Sequence, residues 1–358
     1  PFLRQNLRAL YPFAHQIIVV EGAGPNASHI ATPHGHSLDD TLAVVRCFQA
    51  EEDPEGKLLL VTAEDDGHPN GFWPGEKDQQ SQAYARRATG EWLWQVDVDE
   101  FYHPAAMQRV CALLARSPEL TCLTFNAYHF WGGFGYLVEG GLYQSRAFQG
   151  ELWGAYRRLF RWSAGSRYVS HRPPTVHDGS GRDITSLRKL SASRVLPGVL
   201  MYHYTNVFPS QVLPKGVYYA SLGQVDQRSK FESFMQPLTW RRALRIYTHY
   251  GTFNWLRAFT GSHPPAIEML RQELASGEWR LSIRATDDIE QLLAMPAYKL
   301  AVGALRCLEA LRTRYQNARH VAHRLGVPIL RSLVPPGLRW ALPRAWQLKL
   351  ARQPEPKL

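Results

Sequence analysis

The stretch Gly90–Pro104, GEWLWQVDVDEFYHP, decides how the rest of the chain is read. Trp92, Leu93, Trp94 and Val96 give it the apolar density of a buried strand, yet it runs straight into Asp97, Asp99 and Glu100. A buried strand gains nothing from three carboxyls, so their use lies at its end. Residues two apart on a strand share a face, which predicts Asp97 and Asp99 side by side. Such a pair repels unless a cation stands nearby. Oxygen ligands with open positions suit Mg²⁺ or Mn²⁺, which keep water and substrate phosphates in their shell. A solvated pair or a capping Asp is the plainer alternative, since a bare D-x-D is common at ordinary Asp usage.

Outward from this block the pattern is rhythmic. FLRQNLRALYPFAHQIIVVEGAG opens as an amphipathic helix with Leu3, Leu7 and Leu10 on one face, followed by a strand at Gln16–Val20 that ends in Glu21. SLDDTLAVVRCFQAEED is a second helix, with Ser37 or Asp39 as cap. KLLLVTAED is a strand, GEKDQQSQAYARRATG a helix stopped by Gly90, and AAMQRVCALLARSPE a helix before a strand at LTCLTFNAYHFW. Helices alternating with short apolar strands predict an α/β fold, a mostly parallel sheet covered on both faces. Ligands bind beyond the carboxyl ends of such strands. Glu21, Glu64–Asp66 and Asp97–Glu100 all fall there. Residues 132–215 crowd Gly, Pro, His, Arg and aromatics and read as irregular structure over the rim. From Leu238 the chain turns helical, with Leu300, Ala304, Leu308, Leu311 and Tyr315 along one stripe and Pro296 as a break. The expected division is 1–235 and 236–358.

Composition bounds the function classes. The chain has 358 residues, 45% hydrophobic and 20% charged, which is globular. No apolar run is long enough to cross a bilayer, and no signal-peptide pattern opens the sequence. Cys47, Cys111, Cys122 and Cys307 lack metal-ligand spacing and read as reduced core thiols, with a Cys111–Cys122 disulfide as the lesser alternative. The net charge is +10, but residues 311–358 hold ten basic residues against Glu355 alone. The body is therefore close to neutral, which argues against nucleic acid as a partner. In the tail, Arg339, Arg344, Lys349 and Arg352 alternate with Leu338, Trp340, Leu342, Trp346 and Leu348. That spacing suits a helix lying on an anionic membrane surface, or equally an ordinary docking helix.

EKDQQSQAYARRATGEWLWQVDVDEFY resembles the family 2 glycosyltransferases of GT-A fold, in which a helix leads through A-T-G-[ED]-W into a strand ending in D-x-D-E. HQIIVVEGAG, YRRLFRW and MYHY resemble other segments of that family, so the likeness spans about Phe2–Tyr219 and not the C-terminal third. It implies a GT-A-type (Rossmann-like) sheet with a helical C-terminal extension, and a metal-dependent, inverting transfer of sugar from a nucleoside-diphosphate donor to a hydroxyl. It further implies Glu21 at the base or ribose, Asp97 near the ribose or metal, Asp99 on Mn²⁺ or Mg²⁺, and His203 completing the metal shell. Two departures stand out. The family's first strand would precede Pro1, and its E-D base motif is not evident.

For the general base the residues offer Asp178, His171 and His177 in SHRPPTVHDG, with turn-making as the alternative because Asp-Gly is a turn signal. Lys77, Arg157, Arg158, Arg161 and Lys215 are candidates for the donor diphosphate, each with a surface role as the alternative. Trp131 and Trp153 suit sugar stacking or core. The expected partners are a nucleotide-sugar and a glycan or lipid-linked acceptor, with the enzyme in the cytoplasm or on the inner membrane face. Two rivals remain: a nucleotidyl or phosphoryl transferase, for which no glycine-rich phosphate loop is visible, and a non-catalytic membrane-surface scaffold.

Overall fold

The computed structural model describes residues 1–75, 77–140, 147–148, 151–152, 156–221, 234–244, 246, 254–279 and 281–311. The first half runs α1 (Phe2–Leu10), β1 (Ile17–Val20), α2 (Thr41–Glu51), β2 (Leu58–Val61), α3 (Lys77–Ala85), β3 (Trp92–Trp94), β4 (Glu100–Phe101), α4 (Pro104–Arg116), β5 (Cys122–Phe125), β6 (Ala127–Trp131) and β7 (Tyr136–Glu139). There follow β8 (Ala147–Phe148), β9 (Glu151–Leu152), β10 (Tyr156–Arg161), β11 (Arg167–His171), β12 (Pro174–His177), β13 (Lys189–Ser191), α5 (Ala192–Val195), β14 (Met201–Asn206) and α6 (Pro209–Ser221). The last part holds α7 (Trp240–Ala243), β15 (Trp255–Ala258), α8 (Pro265–Ala275) and α9 (Asp287–Ala294), and residues 296–311 are helical.

The fold is mixed α/β. Strands β1 and β2 form a parallel pair. Leu7 of α1 and Val45 and Phe48 of α2 cover the face with Ile17 and Leu58, while Ala83 of α3 and Trp73 from the loop before it cover the face with Val61. A four-stranded sheet has the order β13-β5-β10-β3, and a five-stranded sheet the order β15-β7-β6-β14-β4. Among the described residues, seven of the ten strand pairings are antiparallel; only β1–β2, β5–β13 and β6–β14 are parallel. The expected mostly parallel sheet thus gives way to mixed sheets. The cause lies in the stretch after β5, whose described residues include hairpins such as β6–β7 and β11–β12, and strands that return antiparallel to the first half.

Two single strands of the sequence reading are split. LTCLTFNAYHFW divides at Asn126 into β5 and β6, which belong to different sheets. EWLWQVDVDEFY divides into β3 and β4 around a turn at Val98–Asp99, closed by the Glu100 amide donating to the Asp97 carbonyl at 2.9 Å. The two aspartates are therefore carried by a turn between strands and not by one pleated face.

The C-terminal stretch shares this framework. β15 pairs with β7 at the edge of the five-stranded sheet. Trp255, Ile289, Leu292, Tyr298 and Val302 join Trp131 and Val138 in one apolar cluster. On the sheet's other face Ile267 and Leu270 of α8 meet Phe2, Phe101 and Phe130. A boundary at 235 separates no two cores. In helix 296–311 the core side carries Tyr298 and Val302, whereas Leu300, Leu308 and Leu311 of the expected stripe are more than half exposed. The Tyr298 hydroxyl, accepting from the Leu256 amide at 2.8 Å, fixes that orientation. Tyr315 and the basic tail lie outside the described residues, and among those described no helix is long and apolar enough to cross a membrane. The four cysteines form no disulfide with one another; Cys122 is buried, and the other three are exposed instead of in the core.

His263 closes the α8 side of the aromatic cluster. Its Nδ1 lies 2.8 Å from the Tyr204 hydroxyl and its ring 4.8 Å from that of Phe259. Burial, helped by Arg271, draws its pKa down to about 4. Unfolded imidazole titrates near ~6.5, so the unfolded chain takes up the proton first as the pH falls. His263 thus contributes stability that is complete above about pH 6.5 and is lost as the pH drops toward 4. Thermal melts across that window should show a steeper fall for the natural chain than for His263→Gln, and parallel profiles would refute the assignment.

Candidate functional site

The β3–β4 turn is held by a buried ion pair. Arg158 of β10 donates from Nε to one oxygen of Glu100 at 2.8 Å and from a terminal nitrogen to the other at 2.5 Å, and it reaches Asp97 at 3.4 Å. Glu100 is fully buried and Arg158 nearly so. Burial works against the Arg158 charge, and Glu100 with Asp97 more than restores it. This bidentate geometry is the strong form of the guanidinium–carboxylate contact. Its consequence for the sequence reading is direct: the Arg158 guanidinium is committed to acids of the turn and is not available to donor phosphates.

Pairing of β4 with β14 brings the next groups in. His203 stands across from Glu100, and the Tyr204 amide donates to the Asp99 carbonyl at 2.8 Å. His203 Nε2 lies 3.4 Å from one Asp99 carboxylate oxygen. The other oxygen accepts from Lys215 of α6 at 2.7 Å, and the same ammonium donates to the Thr205 hydroxyl at 2.9 Å and carbonyl at 3.2 Å. Burial alone would raise the Asp99 carboxyl, but Lys215 and then His203 hold it well below the usual carboxylate range. Asp97 is likewise kept ionised against burial, by Arg158 and then Lys77.

Also bordering the site, α3 meets the β11–β12 hairpin. Ser81 Oγ donates to the Lys77 carbonyl at 2.9 Å and lies 2.7 Å from His171 Nδ1. With the one hydroxyl proton so used, His171 donates from Nδ1 and keeps Nε2 as the free acceptor. Burial draws the His171 pKa down to about 4, so the ring is neutral at pH 7. Lys77 also lies here; burial first, then Arg172, lowers its pKa. Its ammonium stands 5.7 Å from the Tyr218 ring, and Arg172 stands 5.5 Å from the Tyr219 ring while donating to that tyrosine's hydroxyl. Asp97, Asp99, His171, His203, Lys77 and Lys215 all border one open cavity of about 1660 Å³, as do Arg172, Tyr218 and Tyr219.

Of the three acidic strand ends, only the third faces this cavity. The Glu21 carboxylate is turned into the loop after β1, accepting from the Ser37 amide at 2.7 Å beside His36 Nδ1 at 2.8 Å. Its carbonyl accepts from Trp73 Nε1 at 2.9 Å, over Gly22, where φ is +113° and a Cβ would come within 3.0 Å of that nitrogen. Glu21 thus shapes the loop floor. Asp65 accepts from Thr62, and Asp66 pairs with Arg86 and Arg87. Asp178 does not border the cavity. Its carboxylate caps its own turn: Ser180 first, then Arg182, hold it ionised well below the usual range. Turn-making is what this Asp does, and His171 is the remaining base candidate at the site. Arg157 donates to the Pro174 carbonyl, Arg161 lies over Trp92, and Trp131 is core; Trp153 lies outside the described residues.

Arg172, Tyr218 and Tyr219 were not singled out in the sequence. One signal was there: Lys215, Tyr218 and Tyr219 fall at i, i+3 and i+4, one face of a helix.

Asp99 and His203 are the two side chains here that could hold a divalent cation. Asp99 offers oxygen and His203 offers Nε2, and His203 Nδ1 is buried without a hydrogen-bond partner. Among the described residues no three His, Cys, Asp or Glu side chains converge on one point, so water or substrate oxygens would supply the remaining ligands. Compared with known proteins, the chain matches no family model and no curated protein.

Removing one partner of a buried pair leaves an uncompensated charge and costs about 3–5 kcal/mol. Arg158→Leu should therefore destabilise the fold by about that amount in urea titrations. Adding Glu100→Leu should recover much of the loss. A double variant no more stable than the single one would show that the pair does not anchor the turn.

Proposed function

We propose that the chain is a metal-dependent glycosyltransferase that moves a sugar from a nucleoside-diphosphate donor to an acceptor hydroxyl. The observation that carries this reading is the cavity beyond β3, where Asp97 and Asp99 face Lys77, Arg172 and Lys215. Carboxylates and cations bordering one cavity suit a ligand that brings both a divalent ion and phosphates. Among those side chains three cations oppose two carboxylates, because Arg158 and Glu100 offset each other. The resemblance of the α3–β3 segment to GT-A glycosyltransferases of family 2 supports the same reading.

Asp99 and His203 would hold Mn²⁺ or Mg²⁺, which when bound offsets charge on the leaving diphosphate. Lys77 and Arg172 would meet phosphate oxygens from the α3 side, with Tyr219 fixing the guanidinium plane. Lys215, released from Asp99, would reach the same oxygens from α6. Neutral His171 would take the acceptor proton on Nε2, its orientation set by Ser81.

The donor half is tested by thermal shift with UDP, GDP, dTDP and CDP, each with and without Mn²⁺ or Mg²⁺. One nucleotide should raise the melting temperature only when metal is present, and Asp99→Asn should abolish the rise. Metal-independent shifts, or shifts that persist in Asp99→Asn, would sink the assignment. The base is tested separately. His171→Gln should lower turnover about a hundredfold while leaving nucleotide affinity within a factor of a few; unchanged turnover would remove His171 from the chemistry.

A further inference from the structure

His203 differs from an ordinary metal-binding histidine in one respect. Such a side chain almost always donates its second ring N–H to a carbonyl, carboxylate or water, and that bond sets the ring plane. His203 Nδ1 is buried and has no hydrogen-bond partner among the described residues. The orientation of its Nε2 toward Asp99 must therefore come from what packs around the ring.

Two side chains supply that packing. β6 and β14 run parallel, and their register sets His129 beside His203. The two rings meet edge-on with centroids 5.3 Å apart. Tyr156, the first residue of β10, stands 6.0 Å from the His203 ring at 82° and 5.6 Å from the His129 ring. The three rings thus mark a nearly equilateral triangle, in the tilted and edge-on geometries that aromatic pairs prefer. The Tyr156 hydroxyl lies 3.3 Å from His129 Nε2, which ties two corners together. Tyr156 is held in turn by the Arg158 guanidinium, 5.1 Å from its ring. The arginine that clamps the acidic turn therefore also steadies a ring packed on His203. All three rings border the cavity, although His129 is only 4% exposed.

We infer that His129 and Tyr156 are positioning residues for His203. They keep its Nε2 turned to Asp99, doing by packing what a hydrogen bond on Nδ1 does elsewhere. The inference rests on the metal-dependent reading above and extends it to the choice of ion. Mg²⁺ is held by oxygen ligands and water in a strict geometry, whereas imidazole suits transition ions better. A ring fixed in place favours Mn²⁺ over Mg²⁺. A ring free to turn away leaves an oxygen site that barely distinguishes the two.

The test measures the concentration of Mn²⁺, and separately of Mg²⁺, that half-saturates the full chain with UDP, GDP, dTDP or CDP present, read from the melting temperature. Spin-echo modulation spectra of the bound Mn²⁺ report directly coordinated nitrogen. The natural chain should need at least about tenfold less Mn²⁺ than Mg²⁺ and show the nitrogen signal. Tyr156→Leu and His129→Leu should each raise the Mn²⁺ requirement about tenfold, weaken the nitrogen signal and leave the Mg²⁺ requirement within about threefold. Tyr156→Phe keeps the ring and should retain most of the preference for Mn²⁺. Tyr128→Leu loosens the other face of β6, where Tyr128 meets Tyr202 and Phe259, and should change neither readout. Natural-like Mn²⁺ binding and nitrogen signal in both leucine variants would overturn the inference and leave the metal site standing. So would equal ion requirements in the natural chain, or a Tyr128→Leu effect as large as theirs. A natural chain that takes up neither ion would overturn the metal-dependent reading itself.

Discussion

Burying a guanidinium against a carboxylate is costly unless the geometry satisfies both, and in this molecule the arrangement at the acidic turn depends on one such contact. Arg158 projects from β10 of the four-stranded sheet; Glu100 belongs to β4, the edge of the five-stranded sheet. The bidentate pair bridges the two sheets at the point where the chain crosses from one to the other. Because Glu100 is fixed, the turn that precedes it is fixed, and Asp97 and Asp99 are presented to the cavity in one orientation. Because β4 is fixed, its partner β14 delivers His203 and Thr205 to the same place. A hydrophobic pair of similar volume would bridge the sheets at lower desolvation cost, but it would not orient the neighbouring carboxylate as Arg158 does.

Much of the first half was legible because its elements are set locally. The 3.6-residue spacing of Leu3, Leu7 and Leu10 marks α1, and the apolar runs at Ile17–Val20 and Leu58–Val61 mark the parallel pair. The second half was not, for a physical reason. Strands β10, β13 and β14 are specified by partners far along the chain, and nothing within YRRLFRW or MYHYTN states which edge they will join. The same limit applies to the acids. Glu21 and Asp97 both follow apolar runs, and composition cannot distinguish a carboxylate turned into a loop from one turned into a cavity. The difference lies in Ser37 and His36, sixteen and fifteen residues away, which meet the Glu21 side chain first.

The site is assembled from five separate pieces: the β3–β4 turn, β14 with His203, the start of α3, the tip of the β11–β12 hairpin and one face of α6. The turn gives carboxylates, α3 and the hairpin give Lys77, His171 and Arg172, and α6 gives Lys215 with two tyrosines. The hairpin is tied to α3 through Asp78, which accepts from the His171 amide at 2.5 Å, so the imidazole and the lysine are placed as one unit.

The ion pair between Lys215 and Asp99 has a consequence for selectivity. Without a ligand, the acid that would receive a metal already holds a cation of its own, 2.7 Å away and anchored by Thr205. A free metal ion arriving alone must strand that ammonium without a counter-charge. An ion that arrives with phosphates brings a replacement partner, so the lysine passes to the phosphate as the carboxylate passes to the metal. On the proposed reading, such an exchange of partners would make ion and anion entry interdependent.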